Sequence, residues 1–112
     1  MRIYITGAIS RYKGQFDRVR DEFQILEDIL ASRGFEVFNP WKILPYDPDY
    51  TWLEYMQEDI PALINCDAVL LRSDWIFSRG ARIEYIIAKL LHIPIVTEKN
   101  VYKVHKLLTK KR

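Results

Sequence analysis

The amino-acid sequence predicts an α/β fold, namely a small doubly wound three-layer sandwich of the flavodoxin or Rossmann type. Short runs rich in β-branched and aromatic residues alternate with longer segments of helical periodicity. The helical segments are also long enough to connect neighbouring parallel strands by right-handed crossovers. From these two observations we expect a parallel sheet of four or five strands with helices on both faces.

The first half of the chain contains two predicted strands and one predicted helix. Residues 3–6 form a β-branched and aromatic run of strand length. Apolar side chains recur at helical spacing over about residues 16–30, and Gly34 then supplies a C-cap signal. The aromatic and β-branched residues over 35–38 indicate the second strand. The segment 39–50 is rich in proline and predicts a loop.

The second half continues the same alternation. It predicts a helix over about 50–64, a strand over 68–71, a helix over about 78–91, a strand over 93–96 and a last helix over about 100–108. The apolar side of the first of these helices is expected to consist of Trp52, Leu53, Met56, Ile60, Leu63 and Ile64. In such folds, ligands bind where the carboxyl ends of the parallel strands meet.

The composition indicates one compact domain over residues 1–112. Hydrophobic residues make up 49% of the chain and aromatic residues 13%, which excludes a disordered or low-complexity protein. The N-terminal residues enter a strand-like run at once and lack the regions of a signal peptide, and no apolar run is long enough to span a bilayer. The single cysteine, Cys66, has no partner for an internal disulfide. We therefore expect a cytoplasmic protein.

Charge is distributed unevenly along the chain. Residues 98–112 carry a net charge of +5, whereas residues 1–97 carry −3. A basic tail of this kind is able to contact nucleic acid, but it is more often the solvated end of a helix, where Lys and Arg complement the helix dipole. Because the rest of the chain is mildly acidic, we favour the helix-end interpretation and keep nucleic-acid binding as the weaker alternative.

One carboxylate interrupts the apolar stripe of the third predicted helix. Glu84 lies one turn after Gly80 and is followed on the same stripe by apolar residues. Burying an ionised carboxylate is costly unless it is paired. Glu84 therefore either serves a ligand or lies at the edge of the stripe and pairs with Arg82 or Lys89, and spacing alone leaves both interpretations open.

Asp59 poses the same question on the preceding predicted helix. It either belongs to a surface acidic patch with Glu54 and Glu58 or lies toward the same strand edge as Glu84. Enzymes that break glycosidic bonds usually use two carboxyl groups, one as the general acid and the other as the nucleophile or base. We therefore take Asp59 and Glu84 together as the candidate catalytic pair.

The start of the third predicted helix is a candidate phosphate site. Ser78 suits an N-cap, and Gly80 lets a ligand approach the backbone, where free N–H groups and the positive end of the helix dipole favour an anion. An ordinary cap is the commoner role of such a serine. The turn over residues 6–11 is a candidate for the opposite side of the site, and it matches neither the dinucleotide nor the P-loop fingerprint.

The remaining candidates predict neither a metal nor a cofactor. His92 and His105 lack metal-ligand spacing with each other or with Cys66, which we interpret as a core residue. Tryptophans in such a chain are mostly core or rim residues. Trp75 lies in a predicted ligand-end loop and is also a candidate to stack on a base.

Three segments resemble the nucleoside 2-deoxyribosyltransferase superfamily in their order and spacing. They are Ile3-Tyr4-Ile5-Thr6-Gly7-Ala8-Ile9, then Asp59 eight residues before Asp67-Ala68-Val69-Leu70, and then Ser78-x-Gly80-x-x-x-Glu84. The resemblance covers roughly residues 2–96. The pattern is most similar to that of the 2'-deoxynucleoside 5'-monophosphate N-glycosidases, and the central segment is similar to small uncharacterised bacterial and phage members.

The resemblance implies a role for each matching residue. Glu84 matches the nucleophile that attacks C1' of the sugar, and Asp59 matches the second carboxylate, which contacts the sugar and assists proton transfer. Tyr4 matches the tyrosine whose hydroxyl holds the nucleophile. Ser78 and Gly80 match positions that cradle a 5'-phosphate.

The resemblance also implies that the turn after the first strand binds substrate. Gly7 matches a phosphate-cradling position and is followed by Ala8 and Ile9. Ala8 replaces a serine of the hydrolases, which removes one phosphate hydroxyl, and Arg11 is a candidate to compensate for it. Ser78 stands where the transferases of unphosphorylated nucleosides have an aspartate, and a hydroxyl accommodates a phosphate that a carboxylate would repel. The expected substrate is therefore a nucleoside 5'-monophosphate.

The resemblance thus implies an N-glycosidase or deoxyribosyl transferase that works through a covalent Glu84 intermediate. It also implies a homodimer or higher homo-oligomer, since family members share active sites across subunits. A non-catalytic nucleotide-binding or sensing module of the same fold is the first alternative, and a nucleic-acid interaction protein that uses the basic tail is the second. The intact set of Tyr4, Asp59 and Glu84 favours the enzyme.

Overall fold

A parallel sheet forms the centre of the computed structural model, which describes residues 1–9, 14–44, 47 and 49–110. The strands are β1 (Arg2–Thr6), β2 (Glu36–Phe38), β3 (Ala68–Leu71) and β4 (Ile95–Thr97). The helices are α1 (Phe16–Ser32), α2 (Pro40–Ile43), α3 (Trp52–Ile64), α4 (Arg79–Leu90) and α5 (Val104–Lys110). In the described residues the sheet has four strands, all parallel, in the order β2-β1-β3-β4. The predicted Rossmann-like α/β fold is confirmed.

The central strand β1 is paired on both sides. Ile3 lies opposite Val37 of β2 and Ala68 of β3. Asp67 fixes the register between β1 and β3 through two hydrogen bonds to Arg2. Its N–H donates to the Arg2 carbonyl, and its Oδ2 accepts from the Arg2 N–H, each at 2.8 Å. The chain leaves β1 for α1 and leaves β3 for α4, which cover opposite faces of the sheet. The carboxyl ends of β1 and β3 therefore form a topological switch point.

Alternate residues of β1 belong to opposite layers of the molecule. Ile3 and Ile5 pack with the apolar faces of α1 and α5 in the larger core cluster. Tyr4 belongs to the other cluster, with Leu63 of α3 and Ala88 of α4. Because side chains alternate with a period of two along a strand, Thr6 projects to the same layer as Tyr4. The α3 and α4 layer thus receives two hydroxyl-bearing side chains from one strand.

The end of α1 is the glycine cap that the sequence predicts. Gly34 has a φ of +89°, a conformation in which a side chain would be strained. Its N–H donates a hydrogen bond to the Ala31 carbonyl at 3.0 Å, and the Phe35 N–H donates one to the Leu30 carbonyl at 3.2 Å. The chain is thereby turned directly into β2.

The predicted loop over residues 39–50 is wrong at its start, where Pro40–Ile43 form α2. The Asn39 side chain accepts a hydrogen bond from the Trp41 N–H at 3.0 Å, which caps the helix. Pro40 occupies the first helical position, where no N–H is needed. A capping residue followed by proline therefore starts a one-turn helix inside a segment whose prolines suggest irregular structure.

The predicted apolar side of α3 is wrong for Leu53 and Ile64, which are 57% and 50% exposed, and Trp52 at the helix start is also 38% exposed. The buried stripe consists of Met56, Asp59 and Leu63, at helical spacing of three and four residues. Ile64 lies about 100° around the helix from Leu63. A carboxylate, Asp59, thus occupies a buried position that the periodicity would assign to an apolar residue.

The last strand and the last helix begin later than predicted. The Ile93 N–H donates to the Ala88 carbonyl at 2.8 Å, which ties Ile93 to the end of α4, and β4 starts at Ile95. Glu98–Lys103 form a 3-10 helix before α5. The basic residues at positions 111 and 112 lie outside the described residues. Across the described ranges, every helix is too short or too polar to cross a bilayer.

Candidate functional site

A cavity of about 320 Å³ opens at the carboxyl end of β1, at the switch point of the sheet. Its walls come from β1 and the turn after it, from α2, from α3 and from the first turns of α4. The cavity brings together most of the residues that the sequence nominates for the site: Tyr4, Gly7, Ile9, Asp59, Ser78, Gly80 and Glu84. The volume is in the range of small-molecule sites.

Glu84 lies in the second turn of α4 and is 4% exposed. Both of its carboxylate oxygens accept hydrogen bonds from β1. The Tyr4 hydroxyl donates to Oε2 at 2.7 Å, and the Thr6 hydroxyl donates to Oε1 at 2.6 Å. The burial of Glu84 contradicts the alternative in which it pairs with Arg82 or Lys89 at the surface.

The surroundings of Glu84 act on its ionisation in two directions. Burial raises the pKa of Glu84 to about 7, while the hydrogen bonds from Thr6 and Tyr4 stabilise the carboxylate and oppose that rise. Burial, and then the negative charge of Glu84, raise the pKa of Tyr4 well above its usual value. Tyr4 therefore remains a protonated donor whenever Glu84 is ionised.

Asp59 lines the same cavity from α3 and is 9% exposed. Its burial contradicts the alternative of a surface acidic patch. Within the part of the chain that the structure describes, Oδ1 of Asp59 is buried with no hydrogen-bond partner. Burial, followed by the charges of Glu84 and Glu58, raises the pKa of Asp59 to about 8. Near neutral pH, Asp59 thus keeps its proton more readily than Glu84, and the two groups titrate as a coupled pair.

The first turn of α4 forms another wall of the cavity. Ser78 is the N-cap, as predicted, and its Oγ accepts a hydrogen bond from the Ala81 N–H at 3.1 Å. That contact uses an acceptor lone pair and leaves the hydroxyl proton able to donate to a ligand. A Cβ at Gly80 would lie 3.2 Å from Met56 Sδ and 3.4 Å from Trp52 Nε1. The glycine therefore also serves the close approach of α3 to α4.

The turn after β1 is held by a buried arginine. A Cβ at Gly7 would lie 2.7 Å from Arg72 Cβ, so packing against Arg72 already requires glycine there. The Arg72 guanidinium forms ion pairs with Glu22 at 2.7 Å and with Asp74 at 3.5 Å. Asp74 Oδ1 in turn accepts a hydrogen bond from the Ala8 N–H at 3.1 Å. The Ala8 N–H is thus already occupied by a carboxylate, and Ala8 lies in the core rather than on the cavity wall.

Trp41 and Arg79 are among the cavity-lining residues that sequence reasoning did not nominate, and Thr6, the first residue of the nominated turn, was given no role of its own. The Arg79 guanidinium lies 3.8 Å from the centroid of the Trp52 ring, which it covers. Period-two alternation from Tyr4 is a signal that points to Thr6. Arg79 stands at the helix start already nominated for phosphate. Trp41 follows the second predicted strand and so lies at the expected ligand edge, but the segment was predicted as a loop and nothing in it singled out Trp41.

Of the nominated residues that the structure describes, Ala8 and Trp75 do not line the cavity. Trp75 packs against the α3 and α4 layer, where its ring stacks on Tyr85 with centroids 4.6 Å apart and planes at 27°. Arg11 lies outside the described residues. Base stacking by Trp75 therefore has no geometric support.

Cys66 is a core residue, as the sequence indicates. It is buried in the α3 and α4 layer, and its thiol donates to the Ala62 carbonyl at 3.3 Å. Burial, and then the charge of Asp67, raise the pKa of Cys66 to about 12, which leaves it an unreactive thiol. Over the described ranges, no three His, Cys, Asp or Glu side chains are grouped as metal ligands.

Comparison with known proteins gives a family for this fold and cavity. The family model described as Domain of unknown function (DUF4406) matches residues 1–97. No curated protein and no solved structure matches the chain. The matched segment includes all four described strands and every residue that lines the cavity. Since the match covers most of the sequence, the chain belongs to the DUF4406 family.

Proposed function

We propose that the protein cleaves the N-glycosidic bond of a nucleoside 5'-monophosphate, as an N-glycosidase or a deoxyribosyl transferase. The observation that carries this proposal is the buried Glu84 carboxylate, held at the cavity by Tyr4 and accompanied there by Asp59. Burying a carboxyl group is costly unless it is paired or hydrogen-bonded, and Oδ1 of Asp59 has no such partner among the described residues, which favours a ligand at that position. The resemblance to the nucleoside 2-deoxyribosyltransferase superfamily implies catalytic roles for these same three residues.

In the first step a Glu84 oxygen forms a bond to C1' of the sugar as the bond from C1' to the base nitrogen breaks. The electron pair of the broken bond leaves with the base, which takes up a proton from Asp59. Positive charge develops at C1' in the transition state, and the adjacent Glu84 carboxylate stabilises it. The products of this step are the free base and a sugar phosphate bonded to Glu84.

In the second step a water molecule attacks C1' and the bond to Glu84 breaks. The water proton passes to Asp59, now ionised, so both carboxyl groups return to their starting states. Two displacements at C1' give net retention of configuration. In a transferase, the nitrogen of a second base takes the place of water and loses its proton to Asp59 in the same way.

The hydrogen bonds of the two carboxyl groups support this division of roles. Burial raises the pKa of both groups, to about 7 for Glu84 and about 8 for Asp59. Tyr4 and Thr6 donate hydrogen bonds to Glu84 and thereby stabilise the ionised nucleophile, whereas Oδ1 of Asp59 is buried without a partner among the described residues, which favours the protonated acid.

The start of α4 supports a phosphorylated substrate. Ser78 retains a hydroxyl proton to donate, and the first N–H groups of a helix have no acceptor within the helix. Arg79 adds a positive charge at the cavity wall. The Ala8 N–H contributes nothing to such a site, because it is bonded to Asp74. The homo-oligomeric state that the resemblance implies belongs to the same proposal.

Base release from nucleoside 5'-monophosphates and from the matching nucleosides tests the proposal. Release from monophosphates that stops in Glu84→Gln supports it. Binding of a nucleotide with no release, with or without an acceptor base, would instead favour the non-catalytic binding module. Binding of nucleic acid that falls steeply with salt would favour the second alternative, a nucleic-acid interaction protein that uses the basic segment 98–112.

A further inference from the structure

We propose that Thr6 is a second positioning residue for Glu84. Its hydroxyl fixes one carboxylate oxygen while Tyr4 fixes the other, so the nucleophile keeps one orientation toward C1'. The inference rests on the proposed function, in which Glu84 bonds to the sugar. It adds a residue to which the resemblance assigns no role.

The need for a second donor follows from the glutamate side chain. The terminal torsion of a glutamate is broad, so a single hydrogen bond leaves the plane of the carboxylate free to turn about that contact. Donors on both Oε1 and Oε2 remove this freedom. Because Tyr4 and Thr6 belong to one central strand, paired on both sides, the two donors are themselves fixed relative to each other. Holding a reacting group in one geometry lowers the barrier of the chemical step.

The chemistry of the strand end also points to a purpose for this hydroxyl. Thr6 is 1% exposed, and its carbonyl accepts the Arg72 N–H at 2.8 Å. A valine would fill the same space and suits a strand equally well, whereas a buried hydroxyl is costly without a partner. The partner of the Thr6 hydroxyl is the Glu84 carboxylate at 2.6 Å. The hydroxyl therefore serves Glu84 rather than the strand.

The activity test compares Thr6→Val, which removes the donor and keeps the shape, with Thr6→Ser, which keeps the donor. We expect kcat to fall about 10- to 100-fold in Thr6→Val with KM within about twofold, and Thr6→Ser to recover most of the loss. Thr97→Val makes the same exchange at the exposed last residue of β4 and should leave kcat unchanged. An unchanged kcat in Thr6→Val, or a Thr6→Ser variant as slow as Thr6→Val, would overturn the inference.

A titration of the free protein tests the inference separately from the proposed function. The ¹³C signal of the Glu84 carboxyl, identified by its absence in Glu84→Gln, is followed against pH in the wild type and the Thr6 variants. Loss of a donor to the charged form should raise the Glu84 midpoint by about one pH unit in Thr6→Val and leave it unchanged in Thr97→Val. Thr6→Ala, which removes the hydroxyl without placing a methyl group beside the Glu84 carboxylate, provides the same measurement if Thr6→Val does not fold. If the wild type releases no base, the proposed function fails, while an unchanged midpoint would overturn the role of Thr6.

Discussion

Asp59 and Glu84 line one cavity from neighbouring helices, yet their carboxyl groups have opposite surroundings. Glu84 accepts hydrogen bonds from Tyr4 and Thr6, one on each oxygen. Oδ1 of Asp59, in contrast, is buried without a hydrogen-bond partner in the described portion of the chain. Burial raises both pKa values, but the donors hold that of Glu84 at about 7, below the value of about 8 for Asp59. The two carboxyl groups are thus prepared for different tasks.

The plot of kcat/KM for base release against pH should be a narrow bell-shaped curve. Glu84 must be ionised and Asp59 protonated, so we expect kcat/KM to be highest between about pH 7 and about pH 8 and to fall on both sides. The check is kcat/KM measured across this range at constant ionic strength. In Asp59→Asn the reaction should be slow, and its kcat/KM should no longer fall as the pH rises above about 8. A profile that is flat across this range would contradict the assigned roles.

The stability of the fold should decrease as the pH rises. The pKa of Asp59 is raised from 3.8 to about 8, so the native state binds a proton that the unfolded chain releases. The corresponding stabilisation is complete below about pH 4 and is lost as the pH rises through about 8. In Asp59→Asn the free energy of unfolding should vary over this pH range by a few kcal/mol less than in the wild type, as measured by urea unfolding at a series of pH values. Asp21→Asn, at an exposed position of α1, serves as the control, and an equal slope in Asp59→Asn and wild type would contradict the prediction.

The preference for a phosphorylated substrate should depend on Ser78. A carboxylate at this helix start would repel a phosphate that the hydroxyl can bind, so Ser78→Asp should lower the ratio of kcat/KM for monophosphate over nucleoside by about 10- to 100-fold. Aspartate is a good N-cap, which keeps the helix intact. Thr51→Asp makes the same kind of exchange at the N-cap of α3 and should leave the ratio unchanged. An unchanged ratio in Ser78→Asp would remove the argument for a monophosphate.

The order of strands and helices could be predicted because each depends on local signals. The buried run of β3, the period of α1 and the Gly34 cap are all visible in neighbouring residues. The start of α2 was missed, because one capping contact from Asn39 outweighs the proline content of the segment. Local patterns therefore predict the type of an element better than the structure of a short connection.

The site could be predicted only in part, for a related reason. Glu84 and Asp59 are noticeable in the sequence because each interrupts an apolar stripe. The contact of Thr6 with Glu84 joins residues 78 positions apart and becomes visible only when β1 and α4 are packed together. Likewise, Trp75 is near the predicted ligand edge in sequence, but stacking on Tyr85 places it elsewhere. Which loop residues reach a cavity is decided by long-range packing.

Base release from a panel of nucleoside 5'-monophosphates and nucleosides, followed by chromatography, tests the central claim most directly. The wild type is compared with Glu84→Gln and with Glu36→Gln, the same exchange on the exposed side of β2. We predict release from monophosphates by the wild type and by Glu36→Gln, and none by Glu84→Gln, which should still bind the substrate because its shape is nearly unchanged. Release by Glu84→Gln at the wild-type rate would contradict the assignment of Glu84 as the nucleophile.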